Sequence, residues 1–218
     1  MIMKFIDLIS CFLFPNYLKK MWEQRPDPNL DINDFSVDEL SKFLIKTINV
    51  PPKNCITELG CHDGKRLAAL REHFGNLEID FKGVDINSSV IEFGKLKYAN
   101  LRNFELFVED LFDYIGQKRF DLVFTYATFM YVHPLKIKSL LQTLIYNSKT
   151  LILIEPVKTG TFSTILPGRN LSYTHNYEKK VKSIINEANF QYKVIKLPKG
   201  TWGPKYGKPC AFIISNNK

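Results

Sequence analysis

Residues 56–70, ITELGCHDGKRLAAL, constrain the fold more than any other stretch of this chain. An apolar run reaches an acid at Glu58, breaks at Gly60 and resumes beyond Gly64 with apolar residues at helical spacing. This pattern predicts a strand, a tight turn and a helix N-terminus. Glycine permits the sharp reversal, and the helix start presents unbonded N–H groups, a geometry suited to a nucleotide-like ligand. The turn alone is a weak signal, and its weight comes from three further apolar runs spaced at regular distances after it. Asp85 closes the first of these, IDFKGVDI; Glu109 and Asp110 close the next, FELFVED; FDLVFTYA supplies the last.

The rest of the chain continues this alternation. Strands are expected over 54–59, 79–85, 103–109, 120–127 and 150–155, and helices over 64–74, 87–99 and 134–147. Alternation of this kind implies right-handed crossovers and a mostly parallel α/β sheet that binds ligands at the carboxyl ends of its strands. A helix near 176–189 precedes QYKVIKL and CAFIIS. The turn-rich joint between those two runs, PKGTWGPKYGKP, has no helical pattern, so the last two strands should pair antiparallel.

The chain has 218 residues, 45% of them hydrophobic, enough to bury one full core. Two regions are expected: residues 1–35, an N-terminal helix and connector, and residues 36–218, the main domain. The opening MIMKFIDLISCFLF is apolar, but Asp7 interrupts it, no small-residue cleavage site is evident, and it is too short to span a bilayer. An amphipathic helix fits, and its face of Phe5, Ile9, Phe12 and Leu13 either covers the domain, meets a partner or makes peripheral contact with a membrane. After the connector RPDPNLDINDF, Ser36 opens a helix with capping-box spacing, SVDE, an apolar face of Val37, Leu40, Phe43, Leu44 and Ile48, and a stop at Pro51 and Pro52. The net charge of +8 comes from lysines scattered over helices and loops, which reads as solvated surface rather than a nucleic-acid footprint. The four cysteines, at positions 11, 55, 61 and 210, have neither metal-ligand spacing nor the density of a disulfide scaffold, which points to a reducing, cytoplasmic setting without a metal. No P-loop or nucleophile-elbow sequence occurs.

With ELGCHDG as a first motif, Asp85 at the end of the second strand and a terminal hairpin, the chain resembles the class I S-adenosylmethionine-dependent methyltransferases over roughly residues 36–216. ELGCHDGKRL, FTYATFMYVHP and THNYEKKVKSIINEANF are similar to a bacterial branch associated with surface-sugar or small-molecule methylation. The resemblance implies a Rossmann-like doubly wound sheet, mostly parallel with an antiparallel C-terminal strand. It implies S-adenosyl-L-methionine as cofactor and an oxygen, less readily a nitrogen, of a small molecule or sugar as acceptor. It also implies that Glu58 and the turn of Gly60, Cys61, His62 and Gly64 face the methionyl part. Asp85 then accepts the ribose hydroxyls, Ile86 touches the adenine face, and Asp110 lies by the adenine amine with Leu111 beside it. Thr125, with Tyr126 and Ala127, lies where substrate and cofactor meet. Without the resemblance, Asp85 reads equally as a turn or capping acid before Asn87, and Asp110 as a solvated loop acid.

One position departs from the family pattern: His62 replaces the middle glycine of the turn. Histidine tolerates positive φ better than most side chains, so the turn survives, whereas a nicotinamide-type GxGxxG would need glycine at His62 and Lys65. An alcohol acceptor must lose a proton, and two histidines are candidate bases. His133 before Pro134 is either that base or a helix-terminal residue, and His175 is either a base on the long segment 157–175 or part of a capping loop. Arg169 either recognises an acidic acceptor or is a surface arginine. The same choice applies to Arg25 and a cofactor carboxylate, while Trp202 and Tyr206 either line the rim or pack across the turn. The alternative functions are nucleic-acid methylation, which TYAT after the fourth strand disfavours, and an inactive cofactor-fold interaction protein, which His62 keeps open.

Overall fold

The structure, a computed structural model, describes residues 17–24, 37–49, 54–75, 78–116, 118–157, 172–173, 175–185, 190–197 and 208–216. The expected N-terminal amphipathic helix, Ser36, Arg25, Arg169, Trp202 and Tyr206 lie outside the described residues. Seven strands form one sheet: β1 (Cys55–Leu59), β2 (Asp80–Asp85), β3 (Phe104–Val108), β4 (Phe120–Tyr126), β5 (Ser148–Val157), β6 (Phe190–Lys196) and β7 (Lys208–Asn216). Their order is β3-β2-β1-β4-β5-β7-β6. The first five pair parallel, and β7 runs antiparallel to both β5 and β6, as the sequence implied.

The helices are α1 (Tyr17–Glu23), α2 (Glu39–Thr47), α3 (Lys65–His73), α4 (Ser88–Lys97), α5 (Leu111–Ile115), α6 (Ile137–Asn147) and α7 (Tyr177–Ile185), with a 3-10 turn at Phe129–Tyr131. Parallel central strands are apolar on both faces because each face is covered by helices. Thus Leu122 and Phe124 of β4 join Ile56, Ile152, Leu44, Leu67 and Leu70 on one side. On the other side Val123 joins Leu59, Leu151, Leu153, Leu141, Leu144 and Val181.

Three local expectations are corrected. Helix α2 starts at Glu39 with Asp38 as its N-cap, accepting from Ser41 N at 2.7 Å, because a carboxylate closer to the first turn satisfies that donor directly. The helix expected from residue 134 starts at Ile137, since Lys136 N and Ile137 N both turn back to His133 O. Helix α5 was not foreseen, as five residues are too few to show a period, and Asp110 creates it by accepting from Phe112 N at 2.8 Å.

After β1 the chain builds outward through β2 and β3, then returns to place β4 on the other flank of β1. The crevice at such a reversal lies above the carboxyl ends of β1 and β4, which is where open α/β sheets bind ligands.

Candidate cofactor site

The turn after β1 is fixed to the end of β2. Gly60 N and Cys61 N both donate to Val84 O, at 2.8 and 3.0 Å. Gly60 has φ +70°, and a Cβ there would collide with the Thr128 hydroxyl. His62 has φ +56°, so the histidine does occupy the left-handed conformation that the turn demands. Gly64 has φ +80°, and a Cβ on it would meet Leu106 Cδ2 at 2.9 Å. Leu106 of β3 is pressed just as closely by the α-carbons of two other glycines: a Cβ would stand 2.6 Å from it on Gly83 and 2.7 Å on Gly94. The Cys61 side chain is buried in the core against Gly83, which leaves only its backbone toward the turn's outer surface.

Asp85 ties this turn to the start of α4. Its Oδ2 accepts from His62 N at 2.9 Å and its Oδ1 from Asn87 N at 3.0 Å. Asn87 is the helix cap, accepting from Ser89 N and Val90 N, so Asp85 is the turn-holding acid beside it. An ionised carboxylate has about four acceptor sites, so each Asp85 oxygen retains one after these bonds. Ile86 next to it is half-buried.

Glu58 and an arginine that sequence reasoning missed form the opposite end of the site. Glu58 is 0% exposed, its Oε1 accepts from Arg66 Nε at 3.0 Å, and its Oε2 is buried without a hydrogen-bond partner. Burial pushes its carboxyl up to about 7, against the opposing pull of Arg66. The Arg66 guanidinium lies 4.7 Å above the Tyr126 ring at the end of β4. Nothing in the sequence marked Arg66, a helix-forming residue at a helical position.

Past β2, Glu109 N donates to Asp85 O at 3.0 Å, which carries the edge on to Asp110. Asp110 caps α5 with Oδ1 and meets Lys19 Nζ of α1 with Oδ2 at 3.0 Å, and this contact raises the lysine's pKa. Leu111 beside it is half-buried. Helix α1 also sets Trp22 against Tyr131, ring centroids 4.7 Å apart, so it is tied both to the start of α5 and to the turn after β4.

The residues expected at the acceptor end have internal partners. Thr125 is fully buried and its hydroxyl donates to Glu155 Oε1 at 3.3 Å. Glu155 also accepts from Thr128 N (3.0 Å), Phe129 N (2.8 Å) and Met130 N (3.2 Å), and so anchors the turn that comes after β4. Its only sequence signal was an acid in an otherwise apolar run, TLILIEPV. His175 is buried, with Nε2 donating to Val132 O at 3.0 Å and burial pushing its pKa down to about 4. His133 is 6% exposed, and its Nδ1 accepts from Leu135 N at 3.3 Å, which places its proton on the buried Nε2. Burial and the neighbouring Lys136 lower its pKa. Both imidazoles therefore hold backbone: His175 is enclosed, and the lone pair of His133 is already engaged. The structure brings together Glu58, the Gly60–Gly64 turn and Asp85, with Asp110 alongside, and sets Thr125 and the two histidines in the adjoining layer under the turn after β4. Among the described residues no cluster suits a metal ion, and no helix is long and apolar enough to cross a membrane.

Residues 57–145, from β1 through most of α6, match a protein family described as "Methyltransferase domain". Over 81 residues the chain is 36% identical to malonyl-[acyl-carrier protein] O-methyltransferase 2 of Ilyobacter polytropus, a stretch covering 37% of this chain and 30% of that protein. The chain thus matches less than a third of the length of this relative. The fold is similar to that of the N-methyltransferase NodS of Bradyrhizobium japonicum, solved with S-adenosyl-L-homocysteine, with a TM-score of 0.65, 15% identity, and coverage of 94% of this chain and 98% of that one. Magnesium protoporphyrin IX methyltransferase of Synechocystis, also solved with the demethylated cofactor, gives a TM-score of 0.59 at 16% identity, covering 98% of this chain and 99% of that one. Residues 57–145 thus match a methyltransferase domain whose first residues hold this turn, on a sheet whose fold is similar to that of methyltransferases solved with S-adenosyl-L-homocysteine.

Proposed function

We propose that this protein binds S-adenosyl-L-methionine along the β1–β2–β3 edge and transfers its methyl group to an oxygen of a small molecule. The observation that carries the reading is the pair of incompletely used carboxylates flanking the Gly60–Gly64 turn. Glu58 Oε2 is a buried acceptor without a donor, and buried acceptors in folded proteins normally have one, so an ammonium brought by a ligand suits it. Asp85 keeps one acceptor site on each oxygen, which suits a ribose diol. Ile86 and Leu111 supply apolar surface for a purine between them, and Asp110 retains acceptor capacity for its amine.

The bound cofactor supplies an electrophilic methyl on a sulfonium, so the protein's task is to position and desolvate rather than to provide strong acid catalysis. Gly60 and the turn residues hold that position through Val84 and Asp85. Tyr126 and the Glu155-anchored turn stand on the acceptor side. Because neither His133 nor His175 offers an accessible lone pair, an acceptor that arrives already ionised fits best, and a carboxylate oxygen needs no base at all. The O-methyltransferase name of the curated relative supports an oxygen acceptor. A sugar hydroxyl is the competing acceptor.

Calorimetry with S-adenosylhomocysteine tests the cofactor assignment. Binding in the micromolar range is expected, with Asp85→Ala weakening it by on the order of tenfold or more; folded wild-type protein that binds none overturns the assignment. Methyl-label transfer to panels of carboxylates and of sugars then separates the two acceptors.

A further inference from the structure

Arg66 is the second residue of α3, and helical side chains lean toward their own N-terminus. It therefore reaches back across the turn to the carboxyl ends of β1 and β4. Only its Nε is engaged, by Glu58; the terminal nitrogens have no partner among the described residues, and the side chain is 17% exposed. The guanidinium lies over the Tyr126 ring, which together with Glu58 restricts its position. Glu58 and Arg66 thus present, side by side, one vacant carboxylate oxygen and a row of unused cationic donors. That is the complement of an α-amino acid, whose ammonium and carboxylate sit on one carbon.

We propose that Arg66 is a cofactor-binding residue whose terminal nitrogens grip the α-carboxylate of the methionyl tail while Glu58 Oε2 takes the ammonium. This rests on the cofactor reading above, and it assigns the Glu58–Arg66 pair as one recognition unit for a zwitterion. Planar, paired contact between guanidinium and carboxylate is what arginine offers and lysine does not. The pair also gives the site a preference for ligands carrying both charges, because an uncharged tail leaves Glu58 Oε2 buried and bare.

The test measures direct binding by calorimetry with two ligands: S-adenosylhomocysteine, and its decarboxylated analogue, which keeps the amine. Wild-type protein is expected to bind the first more tightly. Arg66→Met should weaken S-adenosylhomocysteine on the order of 10- to 100-fold and the decarboxylated analogue by a clearly smaller factor, since that variant also takes the paired cation from Glu58. An equal loss for both ligands, or no loss for either, overturns the inference, since a purely structural arginine does not distinguish them. Arg66→Lys retains the charge without the fork and should keep part of the discrimination, which provides the measurement even if the methionine variant does not fold. Wild-type protein that binds neither ligand overturns the cofactor reading and this inference with it; wild type that binds both equally overturns this inference alone.

Discussion

Glu58 at the end of β1 and Glu155 near the end of β5 are both closed to solvent, and burial pushes both carboxyls up to about 7. Their partners differ. Glu155 collects three backbone N–H groups and the Thr125 hydroxyl, with both oxygens in use. Glu58 has one arginine contact and one bare oxygen. Burial and a raised pKa are therefore shared by both acids; what separates them is whether the protein finishes the hydrogen bonding. The two sites also communicate. Thr128, whose N–H Glu155 holds, donates its hydroxyl to Leu59 O at 3.2 Å and fills the space beside Gly60. The completed carboxylate is a foundation for the uncompleted one.

The sharpest way to break this contrast is to remove Glu155. Glu155→Ala leaves several buried donors unpaired and should destabilise the fold by about 3 kcal/mol or more in urea denaturation, with Glu155→Gln intermediate. A cost under about 1 kcal/mol would contradict the foundation role. Gly60→Ala combines a left-handed φ with a collision at Thr128, and a loss of about 1–3 kcal/mol is expected by the same measurement.

Proton linkage gives a third test. Each glutamate has a folded pKa of about 7 against a reference of 4.5, so between these values the folded state binds more protons than the unfolded one. Their contribution is complete below about pH 4.5 and is lost as pH rises through 7. His175 runs the other way, from 6.5 down to about 4, and above pH 6.5 adds only a small opposing rise. Unfolding free energy should therefore fall by on the order of 1 kcal/mol between about pH 6.5 and 8. A series of denaturation midpoints checks this, and the slope should shrink in Glu155→Gln.

Glu58→Gln sharpens the contrast from the other side. It should change stability by only about 1 kcal/mol, yet weaken S-adenosylhomocysteine on the order of tenfold by calorimetry. Variants at 58 and 155 with the same profile would erase the distinction. The smallest effect belongs to Lys19→Ala: its pair with Asp110 is largely exposed on the lysine side, and thermal melts should register less than about 0.5 kcal/mol.

The strand and helix alternation was legible because parallel strands buried on both faces leave uninterrupted apolar runs, and the turn announced itself through Gly60 and Gly64. Positive φ at His62 could be inferred from the same spacing. Glu155 and Arg66 were not legible. The partners of Glu155 lie 25–30 residues earlier in the chain and are mostly backbone N–H groups, which have no sequence signature. Arg66 looks like any helical arginine until the sheet order brings β4, and with it Tyr126, alongside β1. The histidines were read from residue type, whereas their burial and backbone bonds come from tertiary packing, which is not written in the local sequence. Asp38 outranked Ser36 as a cap through its position relative to the first turn alone.

Leu106 has a consequence that extends beyond its own strand. Three glycines, drawn from the turn, from β2 and from α4, close around its two methyl groups. Its size therefore sets the height at which the turn rides above the sheet. Substitutions at these four positions are interdependent: a smaller residue at 106 removes a contact shared by all three glycines, and a larger one at any glycine meets Leu106, with the Asp63 carbonyl also in the way at Gly94 and Cys61 at Gly83. A change at position 106 therefore alters the packing under the turn from β3 without replacing any residue of the turn itself.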